Sequence, residues 1–345
     1  MMPNFKLVLR FAACLLPLFF AAGCRKALTD GGNGSRCVLT LSVEVAGQSE
    51  NSPNASLTKG YADPEAGELM ERLRIIIVRP NGIVEHNRLV NLAVSSLKSL
   101  DNRFKVVNNE DKDIYLIANE NNPKNSVDFS SFVEGSVCSR ENMSSLLLQL
   151  SSNDDIVPSS VPISAHHVVR MPLTDYSTDL YVLRGVTKYT YEITNSTPFP
   201  LHLSSLKIDK AAWKEYFFPA VKSFKSVENG EIDDFDVPLV GNEGYYTFSR
   251  KLDADITSGS TAKLAPFFLL EGKYTRSGAG RNYSTTLTVN GMDYTDYLSE
   301  IDLLPRNTHI VVRITFKSDG SSVVPEMSAS VLPYSSVELN PGFGQ

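Results

Sequence analysis

The sequence predicts an all-β protein, built as two β-sandwich domains in tandem with minor helix. Three observations carry that expectation. Apolar runs of strand length recur along the chain, and several alternate apolar with polar residues at the period of two that turns one face of a strand to a core. Turn residues (Gly, Pro, Asn) stand between the runs. No long amphipathic helix and no repeat of solenoid period competes with them.

Taken in order, the first strand is Val38–Val45, with Leu39, Leu41, Val43 and Val45 on one face and Thr40, Ser42 and Glu44 on the other. A polar loop follows from Gln48 to Asp63. Leu73–Val78 is a β-branched run, and Pro80-Asn81-Gly82 turns it back into a hairpin partner at Ile83–Leu92. Asp113–Ala118 is a further strand, stopped by Asn119 to Pro123. The most plausible helix lies around Asn142–Gln149. A second block opens near Asp179, after which Tyr189, Tyr191 and Ile193 alternate with polar neighbours. Leu201–Ile208, Gly244–Ser249, Ala265–Leu270, Thr285–Val289 and Ile310–Phe316 read as strands. The last segment, Val323–Leu339, alternates through Met327, Ala329 and Val331. The expected domains are therefore 37–178 and 179–345.

The first 23 residues have a different character. Lys6 and Arg10 precede an apolar stretch from Phe11 to Phe20, too short for the ~20 residues that span a bilayer and of the length found in a signal peptide. Ala21, Ala22 and Gly23 then lead to Cys24. Small residues let an extended chain enter a peptidase cleft, and a cysteine thiolate can take up lipid. The segment resembles a bacterial lipobox, which implies acylation of Cys24 and attachment to a membrane by acyl chains; an ordinary signal peptide with a free Cys24 is the alternative. Residues 24–36, rich in Gly and polar residues, read as a flexible tether.

The chain has 345 residues and a formal charge of −6, and loss of Lys6 and Arg10 with the signal would leave −8. That acidic balance argues against a nucleic-acid partner, since phosphate contacts need clustered Lys and Arg. Cys37 and Cys138 could pair in an oxidising compartment or remain as buried thiols; no short spacing decides.

A search for chemistry returns no catalytic constellation. Nucleophile-elbow and phosphate-loop motifs are absent. His166 and His167 are adjacent, so on a strand they face opposite ways and do not readily share a metal. Glu110, Asp111 and Asp113 lack the spacing of a calcium loop, and Asp253 and Asp255 are similar. Trp213, Tyr216, Phe217 and Phe218 form an aromatic group, read as core ahead of a sugar-stacking platform. The sequence implies no enzyme activity, cofactor or metal.

Several segments together resemble the fimbrillin family of Bacteroidales type V pili. They are Leu73–Val78 with the Asn81-Gly82 turn, Asp113–Asn119, Leu183–Lys188, Leu304–Val312 with its Arg306-Asn307-Thr308 strand opening, and the tail Val331–Tyr334 through Pro341–Gly344. The resemblance covers nearly all of the chain after Cys24. It implies two transthyretin-like Greek-key sandwiches, a lipoprotein precursor anchored at the outer membrane, other fimbrial subunits (a stalk pilin) as partners, and polymerisation by strand exchange. On that pattern Val38–Val45 is the removable first strand, and the terminal segment with Met327, Ala329 and Val331 is the donor. The alternative is that both are permanent strands of their own sandwiches. Functions of other classes, a surface glycan-binding lipoprotein or a lipid-anchored hydrolase, find less support: Trp213 is the single tryptophan and no hydrolytic site is recognisable.

In this family the first strand is freed by an arginine-specific cut in the loop behind it. Residues 46–71 hold no arginine and only Lys59 is basic; Arg36 precedes the strand and Arg72 abuts the next one. The expected role is therefore the anchoring subunit at the base, with tip or stalk as the alternative if Lys59 is cut.

Overall fold

The computed structural model describes residues 34–46, 66–120, 127–149, 160–218, 245–270, 272–273, 284–297, 303–304, 306–318 and 323–333. The loop read at Gln48–Asp63 and the Cys24 region lie outside these.

The first part of the chain forms β1 (Arg36–Val45), a 3-10 turn at Ala66–Glu68, β2 (Met70–Val78), β3 (Val84–Ser96), β4 (Lys98–Val107), β5 (Asp111–Ala118), a 3-10 turn at Phe129–Ser131, helix α1 (Arg140–Ser144), β6 (Leu147–Gln149), β7 (Ile163–Arg170) and β8 (Tyr176–Arg184). Seven strands make one sheet in the order β3-β2-β5-β7-β8-β1-β4. Strands β3 and β4 are joined through the single residue Leu97 yet stand at opposite ends of that order, so the sheet must roll until its edges meet. Side chains close the seam: Arg88 Nη1 donates to the Arg103 carbonyl at 3.1 Å, and the Val107 amide donates to Glu85 Oε1 at 2.6 Å. The rolled sheet encloses a core of Leu39, Leu41, Ile75, Ile77, Ile114 and Leu116, among others.

On the other face of β2 and β5, the Ile76, Tyr115 and Ile117 side chains are covered by Phe129, Met143, Phe217 and Phe218. Phe217 and Phe218 are thus core. Trp213 packs its ring on Tyr246, centroids 4.1 Å apart. Cys37 lies in the first core and Cys138 in this outer cluster; both thiols are free and buried. Burial raises both, Cys138 to about 11.

The second part contributes β9 (Val186–Asn195), β10 (Leu201–Ala212), β11 (Lys214–Tyr216), β12 (Tyr245–Ile256), β13 (Thr261–Lys263), β14 (Phe267–Leu270), β15 (Gly272–Lys273), β16 (Ser284–Val289), β17 (Met292–Tyr297), β18 (Leu303–Leu304), β19 (Thr308–Ser318) and β20 (Val323–Pro333). Sheets β12-β10-β16-β17 and β13-β9-β19-β20 enclose a second core that includes Tyr189, Tyr191, Leu206, Leu287 and Phe316. The protein is an all-β sandwich fold, as the alternation predicts.

One expectation is corrected and two features are added. Helix occupies only Arg140–Ser144; Leu147–Gln149 is β6, which pairs with β11 and finds its hydrogen bonds there. Lys98–Val107, which no alternation announced, is a full strand. The change of sheet falls at Gly185: β8 runs through Thr178 and pairs with β1 along Leu39–Val45, and β9 belongs to the next sheet.

Candidate strand-exchange interface

Strand β1 is an interior strand. It pairs parallel with β8 and antiparallel with β4. Leu39, Leu41, Val43 and Val45 are fully buried, whereas Thr40, Ser42 and Glu44 are half-buried. Full burial of such a side chain is worth ~1.5–3 kcal/mol, so the four together contribute on the order of 6–12 kcal/mol as an upper bound. A whole domain is stable by only ~5–15 kcal/mol. Vacating this groove without a replacement would therefore cost about what the fold is worth.

The main chain of β1 is committed on both sides. The Val45 amide donates to the Leu97 carbonyl at 2.8 Å and Asn102 Nδ2 to the Leu41 carbonyl at 3.2 Å, so residues with inward side chains turn their backbone polar groups toward β4. The Ala46 amide donates to the Val182 carbonyl at 2.9 Å, and the Val38 amide to Asp175 Oδ1 at 2.8 Å, both on the β8 side.

Where β1 ends, a buried polar junction holds the chain. Asn307 Nδ2 donates to the Ala46 carbonyl at 3.2 Å, and its Oδ1 accepts from Arg184 Nη1 at 3.2 Å. Asn307 sits at φ 57°, a left-handed conformation that Asn tolerates better than most residues. Glu68, at the turn that leads into β2, accepts from Lys188 Nζ at 2.6 Å and lies 3.8 Å from Arg184 Nε. Ala46 and Glu68 are thus brought to one junction through Asn307 and Arg184. The sequence pointed to Leu183–Lys188 and to the Arg306-Asn307 opening, but not to their meeting with Glu68 and Ala46.

Strand β20 pairs over its length with β19, Val323 against Ser318 through Pro333 against Thr308, and stands at the end of its sheet among the described residues. Met327 is half-buried and packs against the second core. Ala329 lies opposite Val312, and Val331 opposite Ile310. Cys24 lies outside the described residues. Arg72 is inside β2, opposite Asn91, and its carbonyl accepts from the Asn119 amide at 3.2 Å; Arg36 is the exposed first residue of β1.

The polar residues considered for chemistry have structural partners. His166 Nε2 bonds Asp113 Oδ1 at 2.8 Å, and Arg140 Nη2 lies 2.8 Å from the same oxygen. Burial alone would raise Asp113, but the hydrogen bonds from His166 and Arg140 outweigh it and hold its carboxyl below the usual range. His167 bonds instead to the Tyr181 carbonyl at 2.7 Å, and burial lowers its pKa. The two histidines do part company, as adjacent strand residues must. Glu110 pairs with Arg79 and with the buried Lys112, which also binds Glu85. Asp255 bonds His202 Nδ1 at 2.8 Å on the exposed surface. No group of three or more metal-ligating side chains occurs among the described residues.

No protein-family model matches the chain, and no curated protein matches it in sequence. Solved structures do. One is described as a putative cell adhesion protein from Parabacteroides distasonis (TM-score 0.58, 11% identity, 87% of this chain and 97% of the other). Another is the tip fimbrial protein Mfa3 from Porphyromonas gingivalis with C-terminal truncation (0.53, 12%, 86% and 100%). A third is a fimbrilin, FimA, from Porphyromonas gingivalis (0.53, 10%, 87% and 98%). At the level of the fold, then, this chain is similar over most of its length to cell adhesion and fimbrial proteins of the Bacteroidales.

Proposed function

We propose that this chain is a structural, non-enzymatic subunit of a bacterial cell-surface fimbria, assembled by strand exchange and held to the outer membrane by acyl chains on Cys24. The observation that carries the reading is β1: an interior strand with four fully buried side chains, in a fold shared with fimbrial proteins. An interior strand that leaves opens a groove with unpaired N–H and C=O groups on both walls, which a strand from a neighbour can fill. Strand β20, at a sheet end, is the segment to donate.

Its place is the base of the filament. Residues 46–71 hold no arginine, and Arg72 is hydrogen-bonded within β2, where a protease cleft has no access to extended backbone. With β1 retained the groove stays filled and the lipid stays attached, while β20 remains available to a stalk subunit. Replacing Cys24 by alanine should move the protein from the detergent phase to the aqueous phase, or leave its signal peptide uncut; unchanged partitioning would refute the lipid anchor. The N-terminus of the protein recovered from purified fimbriae separates the roles. Lipidated Cys24 is the expected result, whereas a chain beginning near Gly60 would place it at the tip or in the stalk.

A further inference from the structure

We infer that this chain does not polymerise with itself: its tail is not complementary to its own β1 groove, so the groove that receives β20 belongs to a subunit of different sequence. The inference rests on the strand-exchange reading above and concerns which partner that reading requires.

The groove specifies its occupant closely. Five inward positions are filled by Cys37, Leu39, Leu41, Val43 and Val45, and every one is buried. Backbone groups of the inward residues face β4, and those between them face β8. A proline anywhere in the strand therefore loses a ladder bond to one wall or the other. The fitting strand is proline-free, with bulky aliphatic residues at four successive alternate positions.

The tail has no such stretch. In the alternate positions that include Val323 and Met327, which pack against the second core, residues 323, 325, 327, 329 and 331 read Val, Pro, Met, Ala, Val. Sliding the frame toward the C-terminus replaces one proline by another, since Pro325, Pro333 and Pro341 all share this phase and are eight residues apart. No five successive positions of that phase escape one. The opposite phase from Val324 reads Val, Glu, Ser, Ser, Leu, which would put a carboxylate in the core and still carry Pro325 within the strand.

The prolines suit the place β20 occupies now. Pro325 lies opposite Phe316, whose carbonyl accepts from the Ser196 amide at 2.8 Å, next to β9. The Phe316 backbone thus faces away from β20, and the missing N–H of Pro325 falls on the outer side of the sheet, where the described residues place no strand. Prolines at such positions blunt an edge against unwanted pairing. Strand β20 is therefore built to be tolerated at an edge and in a groove that does not need its donors at 325 and 333, and β1's groove needs them.

The test uses the full mature chain carrying Leu41→Asp, which prevents β1 from filling its own groove, refolded with synthetic peptides. A peptide of residues 36–45 should restore a cooperative melt, and one of residues 323–332 should not, its apparent affinity being at least ~100-fold weaker. The tail peptide with Pro325→Leu and Ala329→Val should recover most of that loss. Separately, two differently tagged wild-type copies refolded together should give no SDS-resistant ladder. Rescue by the unmodified tail peptide, or a ladder of the wild-type chain, would overturn the inference while leaving strand exchange intact. Failure of the substituted tail peptide would show that proline and side-chain size are not the cause, and overturn it as stated. If the 36–45 peptide also fails, this groove takes no strand in trans and the inference falls, while donation of β20 to another subunit is left standing.

Discussion

Leu41→Asp should leave the chain without a cooperative unfolding transition. Leu41 is fully buried in the centre of β1, between Leu39 and Val43. Truncating such a residue to alanine costs ~2–5 kcal/mol through lost contacts and the cavity left behind. Aspartate adds the desolvation of an unpaired carboxylate, several kcal/mol more. The sum reaches the ~5–15 kcal/mol that a domain has in all. Thr40→Asp, one residue away on the half-buried face, should change stability by under about 1 kcal/mol. Thermal melts followed by circular dichroism would measure both. A Leu41→Asp melt within a few degrees of wild type would mean that β1 is not part of the core.

Glu68→Ala is expected to destabilise the protein by about 3–5 kcal/mol, because it removes a fully buried carboxylate that pairs with Lys188 and lies beside Arg184. Glu68 and Arg184 are fully buried, Lys188 is 4% exposed, and the Lys188–Glu68 bond is 2.6 Å. The control is the double variant Glu68→Ala, Lys188→Met, which removes the partner charge and should recover a large part of the loss. Urea denaturation of the single and double variants gives the coupling directly. Additive losses would show that the pair is not the source.

Why β1 was legible and its surroundings were not follows from range. The alternation of Leu39 through Val45 is local, and the burial of one face follows from it. The adjacent β4 should alternate too, but its pairing with β1 shifts between Leu41 and Val43, and Asp101 turns to φ 55° there. That irregularity puts Leu100 out to solvent at 64% exposure and Asn102 inside, so the pattern reads as loop. Of the helix expected around Asn142–Gln149, only the part up to Ser144 forms, and the distant Lys214–Tyr216 makes Leu147–Gln149 a strand. The Glu68 junction was invisible for the same reason: Arg184, Lys188 and Asn307 come to it from far along the chain, and an isolated buried charge carries no pattern of its own. Of the aromatic group read as core, Phe217 and Phe218 are buried in the outer cluster, whereas Trp213 and Tyr216 are half-buried.

The two-sided pairing of β1 has a mechanical meaning. Tension applied along the axis of an interior strand acts in shear: the ladder bonds to β4 and β8 share it and must give way together. Tension applied across a terminal strand such as β20 can open its bonds one at a time, as a zipper opens. A pull on the residues ahead of Arg36 would therefore load β1 in shear, and its ladders to β4 and β8 would resist it together.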